Sequence, residues 1–335
     1  MAAPRDRLTL AVAAGALSLP PAGRIAVIGP QAGADLSALP EARLHVVTTL
    51  WPDHDHFARL GYDTGAGIAG RYAAAIVHLP RARALAQARL AAVAAVCDGP
   101  VFVDGDKTSG VEAMLRACRR RGRVSEPFSK AHGKLFRIDP PFGFRDWAAP
   151  SRQVIADGFV TAPGVFSADA IDPASRLLAD HLPPAPGCHV VDLGGGWGYL
   201  SARLLERDSV VRLDLVEADL AALDCARVNL TDPRARLHWA DATSWRPEEG
   251  ADAVVTNPPF HTGRDADPEL GRAFIAAAAG MLKSSGSLWL VANRHLPYEA
   301  TLHAHFKSVC EVGGDARFKV LSARGLVAFG ARKRR

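Results

Sequence analysis

Two short stretches carry residues whose types and spacing could do chemistry. The first is Val190-Val-Asp-Leu-Gly-Gly-Gly-Trp-Gly198, an apolar run delivering Asp192 to a turn that holds Gly194, Gly196 and Gly198. Such glycines let backbone pass close to a ligand, and they feed a helix expected to start near Tyr199. The second is Val254-Val-Thr-Asn-Pro-Pro-Phe260, an apolar run ending on Asn257, Pro258, Pro259 and Phe260. The prolines fix φ and remove two donors, leaving carbonyls as acceptors. An asparagine side-chain oxygen and a proline carbonyl can together accept both protons of a planar –NH2 group. That turns the nitrogen lone pair toward an electrophile, with Phe260 placed to stack on the ring that carries it. The pair implies a nucleotide-like cofactor held beside a planar nitrogen acceptor.

The carboxylates sharpen this reading. Asp-x-Gly-x-Gly-x-Gly differs from the G-x-G-x-x-G dinucleotide fingerprint, which faces a pyrophosphate and needs no acid ahead of it. Asp192 suits a cationic amino-acid moiety, or equally bonds the turn's own N–H groups. Glu217 closes the strand Val211–Glu217, 19 residues beyond Gly198, where a carboxylate is placed for ribose hydroxyls. Asp241 closes the stretch Leu237–Asp241, where an adenine amino group would lie. Three acids after successive strands, with Asn257 after a fourth strand (Ala251–Thr256), spell an N-methyltransferase.

These residues need a doubly wound α/β scaffold, and the chain's apolar runs supply it. Upstream, Arg24–Gly29, Leu44–Leu50, Tyr72–Leu79 and Val101–Asp104 read as strands, with a helix from about Ala82 to Val96. The first turn there, Gly29-Pro-Gln-Ala-Gly33, has no acid ahead of it and a proline inside. This half reads as a Rossmann-like domain without a cofactor, the other reading being a second active site. Asp172-Pro173 opens a helix running to about His181, by an N-cap followed by a first-turn proline. A basic run from Arg116 to Arg137, with Glu126 its only carboxylate, is interleaved with Phe128, His132 and Phe136. It reads either as a solvated helix end followed by a loop or as a nucleic-acid contact. Pro140–Trp147 looks like the interdomain connection.

Composition sets the bounds. A chain of 335 residues suggests two domains. No run of about 18 apolar residues is present, so nothing is expected to span a membrane. The N-terminus lacks a convincing signal peptide. Five cysteines (Cys97, Cys118, Cys188, Cys225, Cys310) are scattered without C-x-x-C, which fits reduced cytoplasmic thiols rather than disulfides or zinc. No H-E-x-x-H occurs, and no metal is expected. The net charge of +5 raises the expectation of a polyanionic partner.

On these residues the chain resembles the class I S-adenosylmethionine-dependent methyltransferases. More specifically, Pro163–Ser167, Asn257–His261, Val291–Tyr298 and Arg317–Val320 are similar to the ribosomal RNA guanine-N2 methyltransferases of the small-subunit type, with the large-subunit type related. The match is dense over 160–325 and thinner over about 70–115, where Asp104–Val111 resembles the family's N-terminal domain. The resemblance implies two tandem Rossmann-like methyltransferase domains, 1–145 degenerate and giving RNA binding or support, 146–335 catalytic. It implies S-adenosyl-L-methionine held by Asp192, Gly194, Gly196, Gly198, Glu217 and Asp241, with Asn257, Pro258, Pro259 and Phe260 catalytic. The partner implied is ribosomal RNA or the small ribosomal subunit, met in the cytoplasm, and two linked domains suffice as a monomer. The chain departs from the family pattern at Glu217, often Asp, and at the bulky Trp197. Arg264 and Arg294 are candidates to hold phosphates, Arg264 alternatively a plain lid-loop residue, and His261 either contacts substrate or caps the following loop. The rival readings are a protein glutamine methyltransferase, which uses the same Asn-Pro-Pro corner, and a non-catalytic RNA-binding scaffold.

Overall fold

The computed structural model describes residues 6–148, 150, 152–259 and 268–327. The chain divides into two compact units, Met1–Ser151 and Arg152–Arg335.

In the first unit the strands are β1 (Ile25–Ile28), β2 (Leu44–Val47), β3 (Asp63–Gly65), β4 (Ala74–His78), β5 (Val101–Asp106), β6 (Arg123–Val124), β7 (Phe128–Lys130) and β8 (Gly133–Asp139). They form one sheet in the order β3-β2-β1-β4-β5-β8-β6, with β7 also on β8. β3 to β5 run parallel, and β8 is antiparallel to β5. The helices are α1 (Arg7–Ala13), α2 (Trp51–Arg59), α3 (Arg83–Ala94) and α4 (Val111–Arg119). The central strands read as unbroken apolar runs because both faces are covered. Ile25 and Val27 enter one core with Leu8 and Phe57, whereas Ala26 and Ile28 enter the other with Leu90 and Met114.

Two sequence expectations are corrected here. Beyond Arg119 the basic run is a set of short antiparallel strands, not a loop. Phe136 lies fully buried among them and so offers no face to a base. Pro140–Trp147 is not a connection either. Phe144 and Trp147 are buried in the first unit's core with rings stacked at 4.8 Å, and the Arg121 guanidinium sits 4.7 Å over Trp147. Their apolar area holds this stretch inside the unit.

The second unit opens with the antiparallel pair β9 (Gln153–Val154) and β10 (Val160–Thr161). It continues with β11 (His189–Leu193), β12 (Arg212–Glu217), β13 (Ala235–Trp239), β14 (Ala251–Thr256), β15 (Leu282–Asn293), β16 (Phe306–Gly314) and β17 (Phe318–Leu326). Its helices are α5 (Pro173–His181), α6 (Tyr199–Leu205), α7 (Leu220–Asn229), α8 (Pro268–Met281) and α9 (Glu299–His305). The sheet order is β13-β12-β11-β14-β15-β17-β16, in which β17 alone runs antiparallel to its neighbours. Counted within each sheet, both place the third, second, first, fourth and fifth strands side by side and carry an antiparallel strand next to the fifth. The two units are tandem copies of one doubly wound design.

Inside the second sheet Asp214 is fully buried and accepts from His189 Nε2 (2.6 Å), His238 Nε2 (2.7 Å) and Arg212 Nε (2.8 Å). Burial opposes its ionisation, but these three bonds outweigh that and hold the carboxyl well below the ordinary range. A lowered carboxyl stabilises fully above the unfolded value near pH 4 and loses that contribution as pH falls toward its folded value. Asp214→Asn is therefore expected to cost about 3 kcal/mol at pH 7. Urea midpoints should show the gap to wild type narrowing below pH 4.

Candidate active site

The cleft forms where two neighbouring parallel strands end. β11 and β14 pair with Asp192 opposite Val255, and the Thr256 hydroxyl donates to the Leu193 carbonyl at 2.7 Å. The strand order reverses at this pair, and such switch points leave a crevice beyond the carboxyl ends of the strands. Phe166, Ser167, Asp172, Ser175, Gly194, Gly196, Trp197, Tyr199 and Asn257 are among the residues lining it.

The glycine turn is built for close approach. Gly194 and Gly195 both donate to the Val216 carbonyl (2.8 and 3.2 Å), which pins the turn against β12. Gly196 has φ +58°, and a Cβ there would meet nothing within 4 Å, so its backbone faces open cleft. Gly198 begins α6 instead, and a Cβ on it would press Leu230 at 3.0 Å. Trp197 is no obstacle. Its ring is buried in the core and its indole N–H donates to the Phe166 carbonyl at 2.9 Å. Phe166 itself is 64% exposed beside the cleft.

The acids divide their work. Asp192 is fully buried beneath the turn, where Oδ2 accepts from Ser201 Oγ at 2.6 Å and Oδ1 has no partner. Burial pushes its carboxyl up to about 6 against that bond. Glu217, rather than Asp192, bonds the glycine turn: Oε2 accepts from Gly196 N–H (2.8 Å) and Oε1 from Asp219 N–H (2.7 Å). Burial pushes Glu217 up to about 7 in spite of them. Asp241 lies beyond the end of β13, outside the cleft lining, and accepts from Thr243 N–H and Oγ, each at 2.8 Å.

Asn257 is braced from α5. Its Nδ2 donates to Asp172 Oδ2 (2.9 Å) and to Ser175 Oγ (2.8 Å). A carboxylate only accepts, so the amide's NH2 must face Asp172. The Oδ1 atom is left buried and without a partner. Pro258 is buried and Pro259 exposed. Phe260, His261 and Arg264 lie outside the described residues. Arg294, at the end of β15, is engaged with the Asp315 carbonyl and Glu311.

Sequence reasoning took Asp172 only as the N-cap of α5, which it is, accepting from Ser175 N–H at 2.8 Å. Its second bond, to a side chain 85 residues away, left no local signal. Among the described residues no group of three or more His, Cys, Asp or Glu is arranged to hold a metal ion.

Comparison with known proteins agrees with this geometry. The Methyltransferase small domain family matches residues 157–322. The ribosomal RNA small subunit methyltransferase C of Pseudomonas paraeruginosa is 32% identical over 277 residues, 79% of this chain and 83% of that protein. Its namesake from Hahella chejuensis is 29% identical and covers 90% of this chain and 94% of its own length. Among solved structures, the T. thermophilus 16S rRNA N2 G1207 methyltransferase (RsmC), in complex with AdoMet and guanosine, superposes with a TM-score of 0.77 at 27% identity. That match covers 96% of this chain and 92% of the other.

The raised acids have a thermodynamic consequence. With folded values near 6 and 7, Asp192 and Glu217 hold protons that the unfolded chain has already released above about pH 4. Their contribution to stability therefore falls as pH rises from about 4 to 7. Glu217→Gln should lose less urea midpoint between pH 5 and pH 7.5 than wild type. An equal loss in both proteins would mean that Glu217 does not titrate in that window.

Proposed function

Because the chain belongs to the ribosomal RNA small subunit methyltransferase C family, we propose that it methylates the exocyclic N2 of a guanine in small-subunit ribosomal RNA. The methyl donor is S-adenosyl-L-methionine. The observation that carries this reading is Asn257: its NH2 is pinned behind the cleft, and its buried Oδ1 awaits a donor. A guanine amino group supplies that donor.

The cleft fits the cofactor by its own chemistry. The open backbone at Gly196 admits a ligand against the turn. Glu217, already on Gly196 N–H, keeps lone pairs for ribose hydroxyls. Asp241 would accept from the adenine amino group. Asp192, buried and with one oxygen unpartnered, places negative potential under the end that carries the amino acid. When bound, the cofactor supplies an electrophilic methyl group on a sulfonium, a good leaving group.

The protein's own work is alignment and exclusion of water. Asn257 Oδ1 and the Pro258 carbonyl accept the two amino protons, which directs the nitrogen lone pair at the methyl carbon. No strong base is needed, since the proton released after transfer can pass to water. The guanine must be unpaired or flipped out to reach Asn257. In the first unit Arg116, Arg120, Lys130 and His132 are exposed, and this unit serves as RNA support whose contribution to affinity falls with salt. The enzyme acts in the cytoplasm, where small subunits are assembled.

The test is incorporation of labelled methyl from S-adenosylmethionine into purified small subunits, followed by nucleoside analysis. Wild type is expected to yield N2-methylguanosine. Asn257→Ala should lower the rate roughly 10²–10³-fold, the scale for losing one preorganised polar contact, with cofactor affinity changed little. Cofactor binding without RNA methylation would point to a protein amide as substrate, and no cofactor binding to a non-catalytic scaffold.

A further inference from the structure

We infer that Asp172 is a positioning residue for this transfer: with Ser175 it fixes which way the Asn257 amide faces and, as an anion behind Nδ2, strengthens Oδ1 as an acceptor. The inference rests on the reading of Asn257 given above.

An asparagine amide has two orientations that differ only by exchange of oxygen and nitrogen. In one, Oδ1 faces the base amino group; in the other, two donors confront each other and transfer is blocked. The structure removes the ambiguity. Both Nδ2 protons are used, one on Asp172 Oδ2 and one on Ser175 Oγ. The flipped amide would set its oxygen against a carboxylate that cannot donate. The brace is itself fixed, because Asp172 Oδ2 also accepts from Ser175 N–H as the α5 N-cap, with Pro173 at the first helical position. On the other side, Pro258 disfavours helical backbone at Asn257.

Charge adds to position. A hydrogen bond to an anion draws the amide toward its charge-separated resonance form, which places more negative charge on Oδ1. As the base nitrogen bonds to carbon its N–H groups become more acidic, so a stronger acceptor helps the transition state more than the bound substrate. The effect belongs in kcat rather than KM.

Asp172→Asn separates charge from geometry, because asparagine is an equally good N-cap and its oxygen can still accept both bonds. The expected result is a kcat lowered roughly tenfold, with KM and cofactor Kd within about twofold. In an Asn257→Ala background the same change should cost no further activity, because the two residues act as one unit. A second readout needs no turnover. The chain has only three asparagines, Asn229, Asn257 and Asn293, so selective ¹⁵N-asparagine labelling of ligand-free protein gives three side-chain NH2 pairs. The Asn257 pair, identified by its loss in Asn257→Ala, should move upfield in Asp172→Asn, beside the extra pair that the substitution adds. Unchanged kcat and an unmoved Asn257 pair would reduce Asp172 to a helix cap and overturn the inference. A weakened cofactor Kd, or a full additional loss in the Asn257→Ala background, would overturn it in favour of direct ligand contact. If wild type methylates no RNA, the functional reading fails first, and the NMR shift still decides whether Asp172 controls the Asn257 amide.

Discussion

The register between β11 and β14 is the constraint on which the cleft depends. Asp192 lies opposite Val255, which brings the glycine turn and Asn257 to one end of adjacent strands. Slipping the pair by one residue would move Asn257 by about 3.3 Å. The Thr256–Leu193 bond and the Asn257 bonds to α5 would then break together. Register is secured from below. Val190 and Val255 feed one core while Val191 and Val254 feed the other, and a one-residue slip would exchange those faces. The catalytic geometry is thus held by ordinary hydrophobic packing several residues beneath it.

Electrostatics at that edge run against the chain as a whole. The protein carries a net charge of +5, yet this edge gathers two buried acceptors without partners, Asn257 Oδ1 and Asp192 Oδ1, beside a Glu217 that burial makes reluctant to ionise. Without ligand this arrangement costs stability, because neutral pH forces charge onto buried carboxyls. A cationic ligand rich in hydroxyl and amino donors offsets that cost on binding, and linkage then makes such a ligand stabilising.

Much of this was legible in the sequence, and the misses have physical causes. Apolar runs found the central strands because buried parallel strands have no polar face to disguise them. Glu217, Asp241 and the corner at Asn257 stood out because each follows the end of an apolar run, and the structure places them at or just beyond the ends of β12, β13 and β14. Phe136 misled because interleaved arginines look like an exposed run, whereas strand alternation buries every other residue. Phe144 and Trp147 lay in a proline-rich stretch that resembles a linker until their rings stack in a core. The Asp172–Asn257 bond joins segments that meet only in the folded unit, and Asp172 already had a sufficient local explanation as an N-cap.

The first unit carries the same strand order with other residues at the strand ends. Ile28 and Leu193 each precede a glycine with φ near +70° (Gly29 +64°, Gly194 +74°), and this fixes the correspondence between the sheets. By register Val27 then stands for Asp192, Thr48 for Glu217 and His78 for Asn257. Each of these positions carries a different residue type. Val27 is buried hydrocarbon, and His78 turns its Nδ1 toward Asp104 at 3.3 Å. Arg89 fills the space over the turn, so a Cβ on Gly29 would collide with its guanidinium at 2.2 Å. Asp104 is held in turn by Arg7, whose Nε lies 2.5 Å from Oδ1. The strand ends that border the cleft in one unit are in the other tied to each other and to α1. That edge is part of the unit's own framework.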